Sequence, residues 1–135
     1  YPVDTQLVVT EMEWSRIDPH EVAEADGFIA SRVNFVVQDL VFAEAGGATG
    51  VGAHRLSFSL TNDSAYSYWD PTFIIELIDR GQVAGIAYLV TEKFKAGETR
   101  AVELRLFGDL VDVSDIRLLP ILNVFDPSVY MAPAT

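Results

Sequence analysis

The chain has 135 residues, half of them apolar, and it carries a formal net charge of −11 without a single cysteine. This length and composition predict one globular domain, and the lack of cysteine excludes disulfide bonds, thiolate zinc sites and cysteine nucleophiles. The negative charge argues against nucleic acid and anionic membrane surfaces as partners, because both are negatively charged themselves.

We treat residues 1–135 as a single domain, with a first strand and an acidic loop in residues 1–30 and an extended tail in residues 126–135. The charge is uneven, because residues 1–50 hold nine acids against only two bases. The chain begins at Tyr1 rather than at a methionine, so we expect a mature or excised fragment. No apolar run approaches the roughly 20 residues that span a bilayer, and we therefore expect no membrane insertion.

Alternation of apolar and polar residues with a period of two dominates the chain and predicts β-strands. Seven strands are predicted, over residues 6–14, 33–42, 54–62, 71–79, 83–91, 99–107 and 115–124. Seven short strands predict an all-β fold, an immunoglobulin-like antiparallel β-sandwich with Greek-key connections. The side chains predicted to be buried between its sheets are Leu56, Phe58, Leu60, Phe73, Ile75, Leu77, Val102, Leu104 and Leu106.

Two of the predicted strands carry information about their place in a sheet. Residues 83–91 are apolar on both faces, which predicts a central strand with little exposure. In residues 115–124, Pro120 cannot donate a hydrogen bond to a neighbouring strand, which predicts an edge or a bulge.

Glycines mark the connections between these strands. Residues 79–82 and 95–98 predict short turns in which Gly81 and Gly97 adopt a positive φ. Residues 46–52 contain four glycines and predict a loop without regular structure.

One segment has the signals of a helix. Asp18 is a candidate N-cap, residues 19–25 are the predicted helix, and Gly27 is expected to end it.

We find no catalytic apparatus in the sequence and predict that the protein is not an enzyme. A hydrolytic triad needs a base oriented by a carboxylate beside a nucleophile. The two histidines, His20 and His54, fall in or next to predicted loops, and we expect both to be exposed loop residues.

Two acidic loops raise the question of a metal. The first holds Asp18, Glu21, Glu24 and Asp26, and the second holds Asp109, Asp112 and Asp115. Calcium takes six to eight oxygen ligands from flexible loops, but neither loop has EF-hand spacing. We therefore predict solvated acidic loops, with no metal and no other cofactor.

The aromatic residues Tyr66, Tyr68 and Trp69 lie between two predicted strands, where polar residues are usual. Such residues give a stiff contact area for a protein, peptide or sugar, which makes them candidate partner-binding residues. Alternatively, the rings fold back and close one end of the sandwich core, as a tyrosine corner does. We favour this core plug and expect part of the cluster to remain exposed.

Residues 54–107 resemble the bacterial immunoglobulin-like domains of the FxLYD type. The resemblance rests on Leu60-Thr61-Asn62, Ile75-Glu76-Leu77-Ile78-Asp79 and Ala96-Gly97-Glu98-Thr99. In the family's motif Phe and Tyr stand where this chain has Ile75 and Ile78, and Pro stands where it has Ala96. The resemblance implies an immunoglobulin-like sandwich that is exported to the periplasm or the cell surface and has no enzymatic activity.

Two classes of function follow. The first is a non-enzymatic extracytoplasmic module for protein interaction or structural spacing on the cell surface. The alternative is a small-ligand or carbohydrate-binding module that uses Tyr66, Tyr68 and Trp69.

Overall fold

The computed structural model describes residues 8–12, 14, 16, 24–44, 53–107 and 112–132 of the chain. This part contains six strands, one α-helix and one short 3₁₀ helix. The elements in chain order are α1 Ala25–Arg32, β1 Phe35–Glu44, β2 Ala53–Asn62, β3 Thr72–Asp79, β4 Gln82–Val90, β5 Thr99–Phe107, β6 Asp115–Ile121 and the 3₁₀ helix Pro127–Val129.

The strands form two antiparallel sheets of three strands, in the orders β1-β2-β5 and β4-β3-β6. The connections from β2 to β3 and from β4 to β5 pass from one sheet to the other. The two sheets have the order of strands A, B, E and C′, C, F of an immunoglobulin sandwich. The predicted all-β sandwich is thus confirmed, with six strands in the described part of the chain rather than seven.

The missing strand is the first one, which was predicted over residues 6–14. Residues 8–12 and 14 have no strand conformation, and Val8 and Trp14 are exposed. The prediction is therefore wrong for these residues, while residues 6, 7 and 13 lie outside the described part. Alternation makes a segment compatible with a strand, but the strand forms only where another strand supplies hydrogen bonds.

The core lies between the two sheets and follows the predicted alternation. Seven of the nine predicted core side chains are buried, and they are Leu56, Phe58, Leu60, Phe73, Ile75, Leu77 and Leu106. Val102 and Leu104 are half-buried and pack against this core, because β5 is an edge strand. The core also contains Phe94, which lies in the connection from β4 to β5.

The prediction of a buried central strand over residues 83–91 is wrong, because β4 is an edge strand. The exposed fractions of Val83, Ile86, Tyr88 and Val90 are 52, 67, 60 and 65%. The prediction for Pro120 is confirmed, since β6 is an edge strand.

Both predicted glycine turns are present. Arg80 and Gly81 have φ angles of 51° and 78°, and they form the two-residue hairpin between β3 and β4. Gly97 has a φ of 73° and lies in the connection from β4 to β5, which joins different sheets. The glycine-rich loop of residues 46–52 lies outside the described residues.

The helix is displaced from its predicted position. Most of residues 19–25 and the candidate cap Asp18 lie outside the described part, and α1 contains Gly27 instead of ending there. A glycine inside a helix costs only about 1 kcal/mol relative to alanine. Tertiary contacts offset this cost, because the ring of Phe28 stacks on that of Phe125 with 5.1 Å between their centroids.

Candidate functional site

Asn62, at the end of β2, folds the loop that carries the aromatic residues. Its side chain is fully buried, and its amide donates to the carbonyl of Tyr66 at 2.8 Å. Its side-chain oxygen accepts from the backbone N–H and the hydroxyl of Ser64, at 3.2 and 2.7 Å. Because the buried polar atoms of Asn62 are paired inside the protein, the loop is held in one conformation.

Tyr68 is the core plug among the three aromatic residues. Its side chain is fully buried, and its hydroxyl donates to the carbonyl of Arg32 at 2.6 Å. Its backbone N–H donates to the carbonyl of Phe94 at 2.9 Å. Burial raises the pKa of the Tyr68 phenol to about 12, because the charged form would lose its water. A ring in this position braces the loop and offers no surface to a partner.

Trp69 points the other way and is the member of the cluster with an accessible ring. Its exposed fraction is 43%, and its backbone N–H donates to the carbonyl of Val129 at 3.0 Å. It borders a groove of about 250 Å³ that is also lined by Ile121 of β6. Tyr66 is half-buried. The structure thus divides the predicted site into a buried, a half-buried and an exposed residue.

The tail forms a wall beside this loop. It was predicted to be extended, but the described part contains a 3₁₀ helix whose N-cap is Asp126. The hydroxyl and backbone N–H of Ser128 donate to the Asp126 carboxylate and lower its pKa. Further on, the backbone N–H of Met131 donates to the carbonyl of Ser67 at 2.8 Å. Residues 127–129 are thus helical, whereas Tyr130 is extended and forms a β-bridge with Tyr68, in line with the predicted extended tail.

Helix α1, the aromatic loop and the tail surround a cleft of about 620 Å³, here called the aromatic cleft. Its walls include Phe28, Tyr66, Phe125 and Tyr130. The guanidinium carbon of Arg32 lies 3.5 Å from the ring centroid of Phe28 and 4.5 Å from that of Tyr66. Such contacts hold a cation in place through the negative ring faces. The cleft therefore offers flat apolar walls and one fixed positive charge.

A second surface is the outer face of the β4-β3-β6 sheet. Because Phe73, Ile75 and Leu77 point into the core, the alternate residues of β3 and their partners on β4 and β6 point outward. The apolar residues on this outer face are Ile74, Ile78, Val83, Ile86, Tyr88, Val90, Leu119 and Ile121. We call this surface the outer apolar face.

The other sheet is more polar on its outer face, although Val41 and Phe107 are exposed there. Its outward residues in β2 and β5 include Arg55, Ser57, Ser59, Thr61, Thr99, Glu103 and Arg105. A polar outer face is the normal state of an antiparallel sheet that covers a core on one side only. The outer apolar face holds one charged pair, in which Arg117 and Glu76 approach to 3.0 Å and neutralise each other.

His54 lies inside the protein, and the prediction that it is an exposed loop residue is wrong. It belongs to β2, is buried, and stacks on Phe42 with 5.2 Å between the ring centroids. The signal was present in the sequence, because the inward alternation of Leu56 and Phe58 extends back to residue 54. His20 lies outside the described residues.

The acidic loops are described only in part, at Glu24, Asp26, Asp112 and Asp115. Within the described ranges, no three carboxylate or histidine side chains come together in a way that could hold a metal. In the same ranges, no helix is both long and apolar enough to cross a membrane.

Comparisons with protein-family models, curated proteins and solved structures found no match to this chain. The resemblance to the FxLYD type therefore stays a prediction.

Proposed function

We propose that this domain is a non-enzymatic interaction module that binds a protein partner on its outer apolar face. The observation that carries the proposal is the exposure of Ile86, Tyr88, Leu119 and Ile121 on one face of the sandwich while most outward residues of the opposite face are polar. Contiguous exposed apolar surface of this kind on a folded domain typically marks an interaction site.

The physical reason is the free energy of removing apolar surface from water. Each square ångström of apolar surface that a partner covers contributes roughly 25 cal/mol before the costs of association. Tyr88 lies beside Ile74, which in turn pairs with Leu119 on the far strand. An exposed tyrosine at the end of an apolar row is a typical hot-spot residue, and Trp69 stands at the rim of the same face next to Ile121.

We propose further that the module works outside the cytoplasm, in the periplasm or on the cell surface. This proposal rests on the resemblance of residues 54–107 to exported immunoglobulin-like domains. Expression from the native gene, followed by protease treatment of intact cells, tests it. Accessibility of the domain to the protease supports the proposal, and full protection of the domain contradicts it.

Site-specific photocrosslinking in the source cells tests the interaction face. Leu119 is replaced by benzoylphenylalanine in one variant, and Ala101, an exposed residue on the polar outer face, is replaced in the control. We expect a discrete adduct from position 119 only. Its partner is identified by mass spectrometry and tested again as a purified protein. Equal adducts from both positions, or none from position 119, would contradict the proposal.

A second candidate function is binding of a small ligand or carbohydrate in the aromatic cleft. The observation that favours it is the Arg32 guanidinium held between Phe28 and Tyr66 beside a cleft of about 620 Å³. Pockets of roughly 300–1,000 Å³ with apolar walls and a few polar groups are typical ligand sites. A screen of glycans and small anions tests it, with Tyr66→Ala expected to abolish binding and Trp69→Ala to preserve it. Binding that survives Tyr66→Ala excludes this site.

A further inference from the structure

The four edge strands of the sandwich differ in how they are protected against pairing with another chain. Proteins protect edges with charged residues, proline and bulges. Strand β1 has a register shift between Gln38 and Val41 and a positive φ at Asp39. Strand β6 contains Arg117 and Pro120, and β5 contains three charged residues. Three of the four edges therefore carry such protection.

Strand β4 carries far less. Its nine residues contain no charge and no proline. Its one irregularity is a register shift opposite Leu77 and Ile78 that leaves Ala84 extra, next to the hairpin turn. Residues 85–90 are regular, and within the described part of the chain no strand pairs with their second side. A long apolar edge of this kind is a template for another strand.

We propose that β4 pairs antiparallel with β4 of a second copy of this chain, which joins two sheets into one of six strands. The inference rests on the proposed function, because it names the partner that binds at the β4 edge of the outer apolar face. A second copy is the occupant because β4 can pair with itself without bringing like charges together. Two chains with a net charge of −11 repel each other overall, but β4 is the one edge strand without any charge, so this repulsion opposes pairing least at the β4 edge.

The sequence of β4 is suited to pairing with itself. In a two-fold antiparallel pair centred on Ala87, Gly85 lies opposite Leu89 of the partner subunit on the inner side. On the outer side Ile86 lies opposite Tyr88 of the partner subunit. A small residue thus meets a large one, and a β-branched residue meets an aromatic one, which is a favourable cross-strand pair. The paired segment lies wholly within the regular part of β4 and is self-complementary, as a two-fold interface requires.

The neighbouring surface supports the same partner. A groove of about 600 Å³ runs between β4 and β5, the two edges on this side of the sandwich. Phe107 at its rim is 76% exposed, and the buried core residue Leu77 lines it. A second copy joined through β4 would cover this open side as well as the strand edge.

Sedimentation equilibrium of the purified chain tests self-association over roughly 1 μM to 1 mM, a range that spans moderate to weak affinity. We expect the mass to rise from the monomer value of 14.9 kDa towards twice that value. Ile86→Lys should hold the chain at the monomer mass across the same range. Val41→Lys, a matched change at an exposed position on the β1 edge, should associate like the wild type. Circular dichroism confirms that each variant is folded.

Two further measurements test the edge itself. Among residues 85–90, the amide protons that point away from β3, on every second residue, should exchange more slowly as protein concentration rises, because pairing gives them hydrogen-bond acceptors. The chain has no cysteine, so a single Ala87→Cys variant should form a disulfide-linked dimer under mild oxidation, whereas Val41→Cys should not.

A wild-type chain that stays monomeric at 1 mM overturns the proposal of a second copy. A dimer with unchanged exchange in β4, or one that persists in Ile86→Lys, overturns the edge pairing. If the chain is monomeric but position 119 still captures a different protein, the second-copy inference fails and the interaction function stands.

Discussion

The clearest test of the aromatic loop compares substitutions at Tyr68 and at its neighbour Trp69. Tyr68 is fully buried, so Tyr68→Ala removes the ring and leaves a cavity beside Phe35 and Tyr130. Truncation of a large buried aromatic to alanine costs about 3–5 kcal/mol of unfolding free energy. For a domain of this size that corresponds to a fall in Tm of roughly 10–20 °C.

Two further variants are compared with Tyr68→Ala. Tyr68→Phe keeps the ring and removes only the hydroxyl that donates to the carbonyl of Arg32 at 2.6 Å, which should cost about 1 kcal/mol. Trp69→Ala removes a ring that is 43% exposed. Water fills the space that this ring leaves, so we expect a loss of only about 1–2 kcal/mol.

Urea denaturation at neutral pH, monitored by far-UV circular dichroism, measures all three variants against the wild type. The expected order of destabilisation is Tyr68→Ala, then the two milder variants Tyr68→Phe and Trp69→Ala. A loss from Trp69→Ala that equals or exceeds the loss from Tyr68→Ala would refute the division of the cluster into a buried plug and an exposed contact residue.

Three further predictions concern stability. Phe58→Ala should lower the free energy of unfolding by about 3–5 kcal/mol in the same assay, because Phe58 lies in the core, and a loss below about 1 kcal/mol would contradict that position. The free energy of unfolding of the wild type should fall by about 2–3 kcal/mol as the pH rises from about 10 to about 12, because the raised pKa keeps Tyr68 protonated in the folded state but not in the unfolded state. For Tyr68→Phe, the free energy of unfolding should fall less over the same pH interval. The Tm values measured in EDTA and in millimolar calcium should agree within a few degrees, because a cluster of like charges is not preorganised for an ion. An increase in Tm of more than about 8 °C in calcium would point to a metal site.

Strand periodicity predicted most of the fold because it depends on local residue order. The strand over residues 99–107 was predicted with the observed bounds, and the alternating Leu56, Phe58 and Leu60 are buried as expected. The turn at Arg80 and Gly81 was equally predictable, since a two-residue hairpin requires positive φ angles. These features are set by interactions among residues that are close along the chain.

The aromatic cluster could be recognised from the sequence, but the sequence did not show which of its rings is buried and which is exposed. Tyr68 turns inward because Asn62 folds the preceding loop and because Phe94 and Arg32 supply hydrogen-bond acceptors from distant parts of the chain. The aromatic cleft was not predictable for the same reason. It needs α1, the loop and the tail together, and the packing of Phe28 on Phe125 decides where the helix lies.

The sequence by itself determined that this protein is an acidic, cysteine-free, all-β domain, and that β4 is apolar on both of its faces. Only the tertiary structure decided that β4 lies at an edge, with Ile86, Tyr88 and Val90 exposed. Alternation records which side chains avoid water, but it does not record what covers them. The same pattern is found in a strand that its own chain buries and in a strand that another molecule covers. Burial removes apolar side chains from water in both cases.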